Sequence, residues 1–454
     1  MSLPTFLGIQ TALRGLEAQQ QAIDVTGHNI ANAGTAGYSR QVATLVTAQP
    51  FTMVPAGQLG TGVDVQGYQR IRDSYLDIQL RAQTMRQGAA TAQQDGLNQV
   101  ELALAEPSDN GISSLLANYW SSWQNLTNAP DSLAARQALA QSAASLSDGF
   151  NTLAGQLTTI QSQTTQQETH TINQINQIGT QIASLTQAIK QVELTGGQPN
   201  DLLDKRDLLI DQLSSLANVS VTTTSGTPGT LGAIDVTVGG TTLVTDTTAS
   251  TVSQPLTSLT SGKLFGLAAV VTAITDPTTG YLTRLNNLAA GIVSATNTQH
   301  ALGVDMSGNP GGAFFTATTG SEAATMAVNP NILASPDLIA ASTSGAPGDA
   351  TNAQAIAALQ NSPLIGTATI DTAYSQLVTQ IGADSQQAQQ SVATTSALVD
   401  SITSQRQSVS GVSLDEEMSN LLQFQRGYQA SARAMTAMDD MIDQLINRTG
   451  KVGM

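Results

Sequence analysis

This sequence of 454 residues contains no cysteine. That excludes disulfides, thiolate catalysis and cysteine-ligated zinc, and fits a cytosolic or an extracellular setting equally. Charge is also scarce. Asp, Glu, Lys and Arg make up 11% of the chain, against about 25% in an average globular protein. Only 17 Lys and Arg stand against 33 Asp and Glu, for a net charge of −16, and no cation lies between Arg136 and Lys190 or between Arg284 and Arg406. Phosphate binding needs clustered cations, so nucleic acid is not an expected partner. No run is long and apolar enough to span a membrane. The first residues, MSLPTFLGIQTALRGL, have neither a basic n-region nor an uninterrupted apolar h-region. The expectation is therefore export, if any, without a cleaved signal peptide.

Catalytic chemistry is equally sparse. The three histidines, His28, His170 and His300, are scattered with no second His at i+4, so no metal site and no cofactor are expected. Neither a GxSxG elbow nor an HExxH motif occurs. Asp305-Met306-Ser307-Gly308-Asn309 starts like a calcium loop, but its twelfth position is Thr316 rather than Glu, which predicts a polar turn. Glu416-Glu417 and Asp439-Asp440 are sequence neighbours, and neighbours do not face each other on a helix. The expectation is a protein that is not an enzyme.

The chain is rich in helical periodicity, above all at its two ends. Phe6, Ile9, Leu13, Leu16, Gln20, Ile23, Gly27 and Ile30 recur at spacings of three and four, as do Leu414, Met418, Leu421, Gln425, Tyr428, Ala432, Met435, Met438, Ile442 and Leu445. Each set forms one apolar stripe on a long helix. Such a stripe needs a helical partner, so the ends are expected to pair with each other and with other copies of the chain. Between them, Gly34 and Gly37 break the first helix. Residues 40 to 70 read as extended. A helical pattern resumes near Asp73, and a shorter helix carries Tyr119, Trp120 and Trp123 as core residues.

Leu139 to Val192 carries a pattern too long for an ordinary globular helix, ended by Gly196-Gly197 with Pro199 beyond. Asn200 is a candidate cap for the helix that follows. From Val219 to about Ser261, Thr, Gly and Val dominate, and Gly239-Gly240 reads as a hairpin turn. Ser413-Leu414-Asp415-Glu416 fits a capping box. The predicted fold is mainly α with a small β-rich insertion: paired terminal helices in a coiled coil, a central bundle of long helices, and a projecting β domain. The predicted domains are 1–100 with 395–454, 101–218 with 262–394, and 219–261.

The same ends carry a family resemblance. His28-Asn29-Ile30-Ala31-Asn32, followed by Gly37-Tyr38-Ser39-Arg40-Gln41, resembles the N-terminal signature of the bacterial flagellar rod, hook and hook-associated proteins. Ala36 stands where that family commonly has Pro, which leaves the turn less rigidly preset. Further similar segments follow in order along nearly the whole chain: Gly60 to Leu76, Trp123 through Pro130 to Arg136, Asp204 to Leu209, Asn297 through His300 to Phe315, and Val409 to Arg433. The Ser-Arg-Gln ending points to the members that lie between hook and filament.

The resemblance implies an exported axial subunit of the flagellum, passed through the flagellar type III apparatus after a cytosolic chaperone has held its C-terminal helix. It implies about eleven copies in a ring-like layer, with the hook protein and the third hook-associated protein as neighbours, terminal helices inside and the β insertion outside. The candidate assembly residues are Phe6, Ile9, Leu13, Leu16, Ile23, Ile30, Asn32, Gly37, Tyr38, Arg40, Leu414, Met418, Leu421, Tyr428, Met435, Met438, Ile442 and Leu445. The alternatives are another axial subunit (hook, rod or third hook-associated protein) or an exported surface adhesin. The adhesin would need binding residues in 219–261, where none stands out.

Overall fold

The computed structural model describes residues 7–53, 57–223, 232–256 and 258–447. Phe6 lies outside the described residues, as do 224–231 and Thr257 of the β-rich segment and the side chain of Leu445. In chain order the elements are α1 (Leu7–Asn32), β1 (Gln41–Thr47), β2 (Phe51–Met53), β3 (Gly57–Leu59), β4 (Val63–Arg70), α2 (Ser74–Leu104), α3 (Ile112–Asn128), α4 (Leu133–Leu194), α5 (Asn200–Leu216), β5 (Val219–Thr223), β6 (Ile234–Val238), β7 (Thr241–Thr245), β8 (Thr248–Ala249), α6 (Lys263–Thr275) and α7 (Tyr281–His300). Then come β9 (Phe315–Thr316), α8 (Glu322–Thr325), β10 (Ala327–Val328), α9 (Pro330–Ala334), α10 (Thr351–Ala358), α11 (Ile370–Ser410) and α12 (Leu414–Asn447). The mainly helical chain with a strand-rich insertion is the predicted fold class, and α4 is one unbroken helix of 62 residues.

The chain divides into two compact units, one of Met1–Met85, Gln174–Leu259 and Ser396–Met454, the other of Arg86–Asn173 and Thr260–Thr395. In the first, α1 packs against α12. Strands β1 and β4 form an antiparallel ribbon that pairs Gln41 with Arg70 and Thr47 with Val63. One extra residue, Gln66, forms a bulge opposite Thr44/Leu45; such a bulge bends and twists the ribbon locally.

The same unit contains a four-stranded meander, β5-β6-β7-β8. The β6–β7 turn is Gly239-Gly240, and both glycines take positive φ, 55° and 76°. That is the conformation a two-residue hairpin of this hand requires. A register shift between Val236 and Thr237 turns both Leu243 and Val244 inward, where they are fully buried. Leu243 seats on Gly179 of α4: a Cβ there would come 2.8 Å from the leucine Cδ1. Asn176 of α4 bonds both the N–H and the C=O of Val252, at 2.8 and 3.0 Å, so the helix side chain acts as a strand partner.

The second unit has the larger apolar core. Tyr119, Trp120 and Trp123 of α3 are core residues, as the sequence predicts, each at most 1% exposed; Tyr119 packs against Phe315 and Trp120, and Trp123 against Phe314. Asn297 of α7 accepts from the N–H groups of Phe314 and Phe315, both at 2.8 Å, and donates to Phe315 O at 2.9 Å. His300 is buried between two loops: its Nε2 accepts from Ala340 N at 2.8 Å and its Nδ1 donates to Gly312 O at 2.7 Å. One accepted and one donated bond fix the neutral tautomer with its proton on Nδ1. Arg136 is 2% exposed and binds the carbonyls of Pro130 and Ile339, tying the start of α4 to the loop that precedes α10. Asp305 accepts from Ser307 N and Asn309 N, both at 2.8 Å, which makes its loop the polar turn expected.

Two local expectations need correction. Asn200 does not cap α5; its amide instead donates to Tyr68 O at 2.8 Å and Gln41 Oε1 at 3.0 Å, and Pro199 precedes the helix. At the start of α12, Ser413 Oγ accepts from Glu416 N at 3.5 Å, a distance too long for a strong cap. Glu416 turns its carboxylate to Arg40 at 2.7 Å instead of closing the box. A charged partner outweighs a backbone N–H for that carboxylate.

Candidate assembly surface

The pairing of the terminal helices begins with small residues. A Cβ on Gly8 would come 2.6 Å from Met438 Sδ, one on Gly15 3.0 Å from Ser431 Oγ, and one on Gly427 2.7 Å from Gln19 Oε1. The helices therefore run antiparallel. The α1 seam follows Gly8, Ala12, Gly15, Gln19, Ala22, Thr26 and Asn29, of which Ala12, Ala22, Thr26 and Asn29 are buried. These positions alternate in fours and threes, the repeat of a coiled-coil seam. They lie one position away from the bulky stripe predicted as the contact.

That displacement decides where the bulky residues go. At about 100° per residue, Ile9, Leu16, Ile23 and Leu13 stand beside the seam rather than in it, and so do Leu414, Met418, Leu421 and Tyr428 of α12. Antiparallel pairing puts both stripes on the same side of the pair. The ribbon lies against the other flank of α1, where Thr11 meets Gly62 and Gln21 accepts from Tyr68. Leu13 is 41% exposed, Leu414 53% and Met418 52%. Ile9, Leu16, Ile23, Ile30, Leu421, Tyr428, Met435, Met438 and Ile442 are partly buried. Gln20 is exposed and bonds Asp24 within its own helix.

The signature residues after α1 hold the pair in place. Asn29 is 1% exposed. Its Nδ2 donates to Gln41 O at 2.9 Å and to Glu417 Oε2 at 3.1 Å. Its Oδ1 accepts from Gln41 N at 2.9 Å and from the Tyr38 hydroxyl at 2.7 Å. One amide thus joins α1, β1 and α12. Burial, then the Asp201, Asp204 and Glu417 carboxylates, push the Tyr38 hydroxyl well above the ordinary tyrosine range, which keeps it a donor. Asn32 bonds back to His28 O at 3.0 Å and accepts from Thr35. Gly37 takes φ +79°, and a Cβ there would stand 3.0 Å from Leu208 Cβ. Arg40 pairs with Glu416, while its backbone N donates to Ser410 O at 2.9 Å and its O accepts from Ile71 N at 2.8 Å.

Beneath this turn lies an ion-pair network that the sequence motif Asp204–Leu209 marks without explaining. Asp204, Asp207 and Asp211 share one face of α5. Arg70 reaches Asp204 at 2.7 Å and Asp207 at 3.0 Å, Arg72 reaches Asp207 at 2.6 Å and Asp77 at 2.8 Å, and Arg81 reaches Asp211 at 2.6 Å. Arg406 of α11 closes the set on Asp77 and Asp211, at 3.0 and 2.8 Å. Ser39 adds its N–H and hydroxyl to Asp204 at 2.8 and 2.9 Å. Burial would raise the Asp207 pKa, but Arg72, Arg70 and Arg81 outweigh it and hold the carboxyl below its usual range. Four arginines and four aspartates neutralise one another and join five chain segments. The signal for it was present: carboxylates at i, i+3 and i+7 on a helix, and Arg70 and Arg72 two apart at a strand end.

This arrangement holds a shape. Among the described residues no group of three His, Asp or Glu could hold a metal ion, and no helix is long and apolar enough to cross a membrane.

Comparison with known proteins agrees along the length of the chain. A family model described as the flagellar hook-associated protein FlgK helical domain matches residues 97–257 and 252–315. Models for the flagellar basal body rod FlgEFG protein C-terminal and the flagella basal body rod protein match 403–448 and 9–38. Flagellar hook-associated protein 1 of Bacillus subtilis is 33% identical, with 99% of each chain covered. The protein of the same name from Escherichia coli is 27% identical, covering 97% of this chain and 99% of its own. Among solved structures, the flagellar hook junction protein FlgK from Burkholderia pseudomallei superposes with a TM-score of 0.65 at 20% identity, over 73% of this chain and all of that one. That likeness bears on the fold.

Proposed function

The chain belongs to the family of flagellar hook-associated protein 1, and from that premise we propose that it joins hook to filament by assembling into a ring-like layer of about eleven copies on the hook. Its partners are then further copies of itself, the hook protein on one side and the third hook-associated protein on the other. A cytosolic chaperone holds α12 before the flagellar type III apparatus exports the chain. In the assembled tube, 1–100 with 395–454 form the inner assembly domain, 101–218 with 262–394 form the helical shell, and 219–261 face outward. The role is mechanical and uses no cofactor.

One observation supports this reading above the others: the α1–α12 pair closes on small residues of α1 and leaves Leu13, Leu414 and Met418 exposed beside the seam. Leu13, Leu414 and Met418, each about half exposed, would gain about 1 kcal/mol apiece on burial. Repeated around a ring, that drives assembly. The remaining signature residues, Asn32, Gly37, Tyr38 and Arg40, set the geometry of the pair that presents this face.

The test is electron microscopy of cells lacking this gene, with flagellin assayed in the medium. Intact hooks without filaments and free flagellin outside support the junction role, because export continues while polymerisation has no seat. Absent hooks would move the protein to the rod or hook, and normal filaments would overturn the reading.

A further inference from the structure

The outer flanks of the terminal pair carry opposite charges at the same spacing. On α1, Glu17 stands midway between the seam residues Gly15 and Gln19, and Asp24 midway between Ala22 and Thr26. Two residues turn a helix through about 200°, so both acids point away from α12. On α12, Arg433 follows Ser431 by two residues and Arg426 precedes it by five, which sets both on one flank, about 120–140° round from the seam. All four side chains are exposed. Asp24 accepts from Gln20 at 3.1 Å, which leaves its second carboxylate oxygen for another donor. In a chain with only 17 Lys and Arg, two cations on one helix flank, seven residues apart, match two acids seven residues apart on the opposite flank.

We propose that these flanks are the two sides of a contact between adjacent copies, with Glu17 and Asp24 of one copy facing Arg433 and Arg426 of the next. The proposal rests on the self-assembly reading and specifies its register. Copies set side by side in one orientation bring the α12 of one against the α1 of the next, antiparallel, as within a subunit. Such a head-to-tail contact uses two different surfaces; with an axial step between neighbours it winds the copies into a shallow helical turn, the ring-like layer, rather than a flat closed ring. Glu17–Arg433 and Asp24–Arg426 are satisfied together in a single antiparallel register. It lies four residues from the intrachain one, an axial step of about 6 Å between neighbours at 1.5 Å per residue. In that register Asp440 falls opposite Gln10, so no like charges meet. Exposed ion pairs of this kind add little affinity; they select register and partner, while the apolar face drives association.

The absence of cysteine makes the test clean. The full-length chain carrying Glu17→Cys together with Arg433→Cys, expressed in cells lacking the native gene, is treated with a short bismaleimide on intact flagella. The expected result is a ladder of dimers, trimers and higher species. Glu17→Cys with Asp415→Cys serves as control: Asp415 shares the flank but lies 18 residues, about 27 Å, from Arg433, and this pair should give no ladder. In parallel, Arg426→Glu with Arg433→Glu should reduce filament number at least tenfold, and adding Glu17→Arg with Asp24→Arg should restore it. No ladder on flagella that carry filaments overturns this register while leaving the junction role intact. So does equal cross-linking in the control, or a fourfold swap that fails to rescue although all variants are secreted. Filaments in the uncomplemented deletion strain would instead defeat the underlying reading.

Discussion

Replacing Asn29 by alanine removes four hydrogen bonds from the point where α1, β1 and α12 meet. Three are to neutral groups, the N–H and C=O of Gln41 and the Tyr38 hydroxyl, and one is to the Glu417 carboxylate. Net values of about 0.5–1.5 kcal/mol for each neutral bond and about 1.5–3 for the charged one give about 2.5–6 kcal/mol, with water replacing the bond to the partly exposed Tyr38. The first unit contains no tryptophan, whereas Trp120 and Trp123 both sit in the core of the second. The two units can therefore be read separately. Hydrogen exchange followed by mass spectrometry should show protection in residues 22–47 and 411–424 falling by about two to four decades, at 1.4 kcal/mol per decade. The tryptophan-monitored unfolding midpoint should move much less. Asn29→Asp should be worse than Asn29→Ala, since it sets a second carboxylate against Glu417. Unchanged exchange in both segments, or a tryptophan midpoint that falls as far as the exchange, would refute this account of the joint.

Other perturbations test other parts. Gly37→Ala should cost about 1–3 kcal/mol, from a left-handed backbone and the approach to Leu208, and should raise exchange in residues 33–41. Asp207 has a depressed pKa, so its stabilising contribution is complete above the ordinary carboxylate pKa and disappears as pH falls through the depressed value. The first unit should thus lose stability in acid below about pH 4, and Arg72→Met should flatten that dependence in circular dichroism melts. His300 also has a depressed pKa, because burial disfavours its charged form and Arg136 adds to this against the Gly312 bond. Its contribution is complete above the ordinary imidazole pKa, about 6.5, and declines as pH falls below that. Tryptophan-monitored stability should decline from pH 7 to pH 5, and His300→Gln should remove that slope.

Much of the architecture was legible because it is local. Periodicity located α1, α3, α4, α7 and α12 to within a few residues, and Gly239-Gly240 located the β6–β7 hairpin through its demand for positive φ. The candidate surface was legible only in part. Bulky stripes announce that a helix needs covering, yet Gly8, Ala12 and Gly15 allow the closer approach, and small residues emit little hydrophobic signal. The Arg–Asp network escaped because Arg70, Asp207 and Arg406 are far apart in sequence and meet only through the fold. For the same reason the Glu416 carboxylate read as a local cap when its partner is Arg40. Tyr38 and Arg40 were named from a family pattern; within the subunit they bond Asn29 and Glu416, and Asn29 itself, outside the candidate set, ties α1 to β1 and α12.

In the proposed junction role, the exposed apolar side of the α1–α12 pair seats the filament on the hook. Leu13 and Met418 are exposed within the subunit, so Leu13→Asp with Met418→Asp should leave the fold intact and remove only the apolar face. The most direct measurement is complementation of the deletion strain with this double variant, counting hooks and filaments by electron microscopy and the secreted variant by immunoblot. The expected result is hooks without filaments, with the folded variant free in the medium. Filaments at the wild-type number would contradict it.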